Sequence, residues 1–140
     1  MNGKLRIILS LALAVSTFSS PLMAHHGGAA YDADKRVTVK GTVTDWLWSN
    51  PHCILQLDTT DDSGRVVHWV TETENPSSMI RSGWTKDSFK VGDEISILLV
   101  PQKTSGRVGR IVEVTFPDGH KLLGRGFTVA PAKPDESAKP

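Results

Sequence analysis

Apolar and polar residues alternate at period two through Val37-Thr38-Val39-Lys40-Gly41-Thr42-Val43-Thr44, which predicts a half-buried β-strand. The run continues to Trp48, long for one strand, and Gly41 in its middle predicts a bulge or a sharp bend. Asn50-Pro51 is a turn signal, because proline fixes its own φ and pushes the residue before it out of the helical region. A second strand is predicted over residues 52–58, a hairpin turn at Asp61-Asp62-Ser63-Gly64, and a third strand over residues 65–74 with Val66, Val67, Trp69 and Val70. The period then changes. Asn75 suits a helix N-cap and Pro76 the first helical position; Met79, Ile80 and Trp84 recur at helical spacing, and Gly83 is placed to end a helix of about two turns. Two further strands are predicted over residues 94–100 and 108–116, with a short return at residues 121–123 after the turn Pro117-Asp118-Gly119.

Three meandering strands, a helix, then two strands is the order of an OB-like Greek-key barrel, mainly β and five-stranded, with its one short helix between strands 3 and 4. A curled first strand is what such a barrel needs in order to pair on both sides. A small open β-sandwich is the alternative. The domain is expected over residues 37–124. Residues 25–36 should form an extended, partly mobile arm, since their glycines and aspartates resist regular structure. Residues 125–140 are expected to be a disordered tail, since from Ala130 the chain is Pro, Ala, Lys, Asp, Glu and Ser and cannot bury a core.

Residues 1–24 read as a signal peptide: Lys4 and Arg6 form a basic start, residues 7–18 an apolar stretch, and Ala24 a small residue for the cut. Leu22 is larger than the residue preferred three before that cut. An uncleaved anchor is the other reading, but the apolar run is short of the roughly 20 residues a spanning helix needs. Periplasmic or secreted localisation, with no membrane anchor after cleavage, is therefore expected. Cleavage would leave 14 basic against 15 acidic residues, so the net charge of +1 becomes −1. A near-neutral domain has no electrostatic footprint for nucleic acid. Cys53 is the only cysteine, so no intrachain disulfide can staple the fold.

Candidate chemistry rests on the five histidines. A cut after Ala24 makes His25 the N-terminus, where its amine and imidazole can chelate one metal, and His26 adds a second imidazole. A cut after Met23 puts a histidine third, where amine, backbone nitrogens and imidazole can form a square-planar site. Both favour copper, with zinc and nickel next. Two exposed histidines following a leader by chance is the plain alternative. His52 should lie opposite Glu72 to Glu74 across the hairpin, where a carboxylate could orient it; a corner histidine bonded to backbone is the plain alternative. His68 should sit about 16 Å from His52 and not share its metal. His68 and His120 read as surface residues. Cys53 should face away from His52 as an inert buried thiol. Trp46, Trp48, Trp69 and Trp84 could make a platform for a ligand or partner, though such residues more often pack core and rim. No catalytic set can be assembled, so a non-enzymatic protein is expected.

Ala24-His25-His26 after the leader, Gly41-Thr42-Val43, Asn50-Pro51-His52, Trp69, Glu72, Arg81-x-Gly83-Trp84 and Val91-Gly92-Asp93 occur in this order. The set resembles a family of small exported bacterial proteins classed as a domain of unknown function, over residues 24–124. The sequence departs from that pattern at Val91, where proline is common, and at Cys53 and Ile54, where the family has no fixed residue. The resemblance implies export and a barrel-like fold but no activity; His25, His26 and His52 match its motif positions. More distantly the chain looks similar to exported OB-type modules that bind small ligands, haem or partner proteins. The leading expectation is a periplasmic protein binding a divalent metal through the His25-His26 arm, completed by His52 and Glu72 or Glu74 if the arm folds back. The second is an adaptor docking a partner protein or small ligand on a face around Trp48, Asn50, Trp69 and Trp84.

Overall fold

A computed structural model describes residues 28–127. Its elements are β1 (Val37–Leu47), β2 (Ile54–Thr60), β3 (Val66–Glu72), the helix α1 (Pro76–Ile80), β4 (Glu94–Pro101), β5 (Val108–Thr115) and β6 (Lys121–Leu123). The strands hydrogen-bond in the order β3-β2-β1-β4-β5-β6, and β3 also pairs in parallel with β5 through Val70↔Val108, Thr71↔Gly109 and Glu72↔Arg110. That last pairing closes five strands into the mainly β barrel expected from the sequence, with α1 between β3 and β4.

Strand β1 serves both halves of the barrel. Residues 37–42 pair with β4 and residues 42–47 with β2. The strand therefore has to bend, and it does so in two ways. The β1–β2 register shifts between Val43 and Asp45, so the bulge lies at Thr44 rather than at Gly41. Gly41 answers a different need: a Cβ there would stand 2.3 Å from the Asp58 carbonyl oxygen, so the β2 backbone approaches too closely for any side chain.

The barrel interior is filled by Val39, Val43, Leu55, Leu57, Ile95, Ile97, Leu99, Ile111 and Val114, joined by Met79, Trp84 and Phe89. The helix is a single short piece. Asn75 Oδ1 accepts from the Ser78 amide at 3.0 Å, as its N-cap role predicts. Gly83 takes φ +83°, the left-handed conformation expected of a helix stop. The inward face differs from the expected spacing, however. Met79 is fully buried, Ile80 is 61 % exposed, and Trp84 enters the core from beyond the Gly83 turn.

A second apolar cluster lies on the other side of the β4–β5 sheet. Val100 and Val112 meet Tyr31 there, with Leu98 and Phe127 against them. Adjacent strand residues point to opposite faces, so Leu99 fills the barrel while Val100 faces this outer cluster. A register shift between Leu98 and Leu99 passes over Val112, which explains why Ile111 and Val114 both point inward although three apart. The part of the arm that is described, residues 28–36, does not stand free. Gly28–Ala30 forms one 3₁₀ turn, Tyr31 bridges to Gln102, and Tyr31 is only 7 % exposed.

Candidate functional site

The corner between β1 and β2 begins with a cis Asn50-Pro51 bond. Strand β2 starts at Ile54, two residues later than the hydrophobic pattern suggests, because the chain at His52 and Cys53 leaves the regular ladder. The Cys53 amide donates to Glu74 O at 3.2 Å and the Thr73 amide to Cys53 O at 3.0 Å. The Thr73 carbonyl is met instead by His52 Nδ1 at 3.0 Å, while Ser49 Oγ donates to His52 O at 3.1 Å. A carbonyl oxygen can only accept, so Nδ1 carries the proton. In a neutral ring the lone pair then lies on Nε2. The half-buried His52 is thus oriented by backbone through Nδ1, as metal-binding histidines commonly are. Cys53 points the other way: it is fully buried, its Sγ donates weakly to Ser49 O at 3.9 Å, and burial pushes its thiol pKa up.

The glutamates expected beside His52 are held elsewhere. Ile54 pairs with Glu72, so the register does put His52 opposite that end of β3. But Glu74 pairs with the Arg110 guanidinium, and Glu72 Oε1 lies 3.9 Å from Arg110 Nη1. Glu72 lies beside the Tyr31 hydroxyl. Burial first, then the hydrogen-bonding and charge of the Glu72 carboxylate, hold the Tyr31 pKa well above the ordinary tyrosine range. The Arg110 side chain is 7 % exposed, and its buried Nε has no partner among the described residues. The backbone carbonyl of Thr73 therefore orients His52, and Glu72 belongs to a Tyr31–Glu72–Arg110–Glu74 cluster on the outer face. Sequence reasoning missed Tyr31 and Arg110. The available signals were a lone aromatic in a polar arm and one cation inside the apolar run from Val108 to Val114.

The tryptophans divide. Trp84 is fully buried and its indole N–H donates to Leu123 O at 2.8 Å, which removes it from any docking face. Trp46, Trp48 and Trp69 are half-buried against the core. Trp46 is 5.6 Å from Trp48 and 5.0 Å from Phe89, measured between ring centroids. The aromatic row continues from Phe89 to Phe116 at 5.5 Å and to His120 at 3.9 Å. Asn50 is exposed beside Trp48, and neighbouring Leu47 is 41 % exposed.

The other two described histidines sit on the surface, each with a carboxylate: His68 Nδ1 is 2.5 Å from Asp58 and His120 Nδ1 is 2.6 Å from Asp118. His120 holds the Asp118 carboxyl below the usual carboxylate range, through its backbone amide first and then its ring. Among the described residues, no three His, Cys, Asp or Glu side chains gather into a group able to hold a metal ion. His25 and His26 lie outside the described residues.

Fold and corner together define a small closed β-barrel that presents one oriented imidazole. Residues 12–111 match the model of a family of unknown function, DUF6152, and the chain belongs to that family. No curated protein matches it. The match runs through β1, β2, β3, α1 and β4 into β5, so it includes the His52 corner and the glutamates of the outer cluster.

Proposed function

We propose that this chain is a non-enzymatic periplasmic binding protein that holds a divalent metal, copper in preference to zinc or nickel. His25 would supply its amine and imidazole, His26 a second imidazole, and His52 its Nε2. The observation that carries this reading is the His52 Nδ1–Thr73 hydrogen bond, the kind of backbone contact through which metal-binding histidines are commonly oriented. Nitrogen-rich sets of this kind suit Cu(II) best. Glu72, engaged by Tyr31 and Arg110, is left out of the ligand set. The compartment rests on the leader pattern of residues 1–24. No helix among the described residues is long and apolar enough to cross a membrane.

Calorimetry with Cu(II) on four proteins tests the reading: the form beginning at His25, the same form with an N-terminal tag, His25→Ala/His26→Ala, and His52→Ala. The untagged form should bind most tightly, since a tag turns the amine into an amide. The double variant should lose tight binding, and His52→Ala should weaken it about tenfold or more. Affinity should fall from pH 8 to pH 5, because protons compete at an amine of pKa about 8 and imidazoles of about 6.5. An untagged form that binds no copper would remove the metal reading. The adaptor reading would then stand, supported by exposed Leu47 and Asn50 beside half-buried Trp48 at the same corner.

A further inference from the structure

A polar cleft crosses the outer face of the barrel where β1, β4 and β5 lie side by side. Ile95 and Ile97 fill the barrel, so Glu94 and Ser96 point outward. The register sets Lys40 beside Ser96 and Ser96 beside Thr115, a row across three strands, with Thr42 and Glu94 paired two residues further on. Lys40, Glu94, Ser96, Thr115, Phe116 and Pro117 line a cleft of about 380 Å³ over Ile95. A hollow of about 190 Å³ shares Lys40 and Glu94 with it and adds Gly41 and Thr42. The cleft is at the small end of the sizes that ligand sites take. Two exposed charges stand in it. Lys40 and Glu94 are diagonal neighbours on the sheet, yet neither side chain forms an ion pair or hydrogen bond with another described residue. Lys121 and Glu113 nearby engage each other at 2.8 Å, and Thr115 Oγ1 donates to the same Glu113 oxygen at 3.4 Å. Thr115 therefore offers its oxygen as an acceptor, while Ser96 can donate and accept. Phe116 is already stacked by two rings, the buried Phe89 at 5.5 Å and the exposed His120 at 3.9 Å, so it presents its edge to the cleft.

We propose that this cleft binds a small aliphatic zwitterion of amino-acid size. Lys40 and the Ser96 hydroxyl would take the ligand's carboxylate, and Glu94 its ammonium. A simple anion would gain Lys40 but meet Glu94, and a simple cation the reverse, so each trades an attraction for a repulsion. A ligand that carries both charges satisfies both groups at once. Ile95, Phe116 and Pro117 form the apolar side of the cleft and would receive an aliphatic side chain. With no free face on Phe116, a stacking aromatic or sugar gains little there. Both charged side chains are open to water, so screening keeps the affinity weak. The site shares no residue with the metal reading and stands or falls without it.

A nuclear magnetic resonance titration of the metal-free form beginning at His25 with leucine tests it. The amides of Lys40, Ser96 and Thr115 should shift and saturate with a dissociation constant on the order of 1 mM. N-acetyl-leucine, which lacks the ammonium, and leucinamide, which lacks the carboxylate, should each bind about tenfold more weakly. Lys40→Ala and Glu94→Ala, both at exposed positions, should leave the melting temperature unchanged and weaken leucine by about the same tenfold factor. The crossed pairs are the sharper readout. Glu94→Ala should not weaken N-acetyl-leucine, and Lys40→Ala should not weaken leucinamide. No shift at the three amides with leucine at about 20 mM would overturn the site. Equal binding of all three compounds would reduce the contact to its apolar part and overturn the zwitterion assignment. Equal loss of all three in either variant would mean that the side chain shapes the cleft without reading charge, and would overturn that assignment as well.

Discussion

Gly41 shows how much one absent side chain contributes. The β2 backbone passes where its Cβ would be, at 2.3 Å from Asp58 O and 3.3 Å from a Leu57 methyl. Backbone in a paired strand cannot step aside as a flexible side chain can. Gly41→Ala should therefore cost about 2 kcal/mol in urea unfolding, in the range of overpacked cores. Gly106→Ala is the internal comparison: a Cβ there meets nothing within 4 Å, and the change should stay within about 0.5 kcal/mol. Equal effects at the two positions would show that close approach is not what reserves Gly41. His52 illustrates the same scale for orientation: the carbonyl of Thr73, 21 residues away and just past β3, decides which way its ring is held.

At the scale of elements, α1 is built almost wholly from local signals. Asn75 caps it, Pro76 starts it, and Gly83 follows it in the left-handed region. The space around Gly83 is open, with only a Leu122 methyl 4.0 Å from where a Cβ would stand, so a side chain there would be strained by backbone angle rather than by crowding. Gly83→Val should lower stability by about 1 kcal/mol or more, because a β-branched residue resists that φ. An unchanged melting temperature would contradict it. The five residues of α1 are too few to be stable alone. What holds them is Met79 in the core and Trp84 just beyond, whose indole ties the segment to Leu123.

The whole molecule is a barrel with a second, smaller core outside it, and the second core joins the chain's described ends. Its weak point is set by Tyr31. The tyrosine pKa is raised in the folded protein, by burial first, above an unfolded value near 10.0. A group raised on folding contributes stability that is fully present below its unfolded pKa and is lost as pH climbs toward the folded value. Between about pH 9.5 and 11.5 the wild-type protein should therefore lose stability relative to Tyr31→Phe, by up to about 1.4 kcal/mol per pH unit. Denaturant unfolding of both proteins across that range measures it. Parallel curves would mean that the phenol does not sit in a buried, acidic setting.

Much of this architecture was legible in the chain itself. Alternation at period two marked β1, and apolar β-rich runs bounded by turn residues such as those around Asp61 marked the other barrel strands. Asn75, Pro76 and Gly83 announced the helix ends, because capping and left-handed turns depend on the residues at hand. The His25-His26 pair and His52 stood out for the same reason. Only tertiary structure decided the rest. The alternation of β5 breaks into four consecutive buried residues from Gly109 to Val112, since the outer face is covered by Tyr31 and Phe127 from opposite ends of the chain. Glu72 and Arg110 lie 38 residues apart in sequence yet pair because β3 and β5 close the barrel in parallel. Local pattern records which face of a strand is apolar; it carries no record of which distant segment arrives to cover that face, and that arrival assigned Tyr31, Glu72 and the nitrogen of His52 their partners.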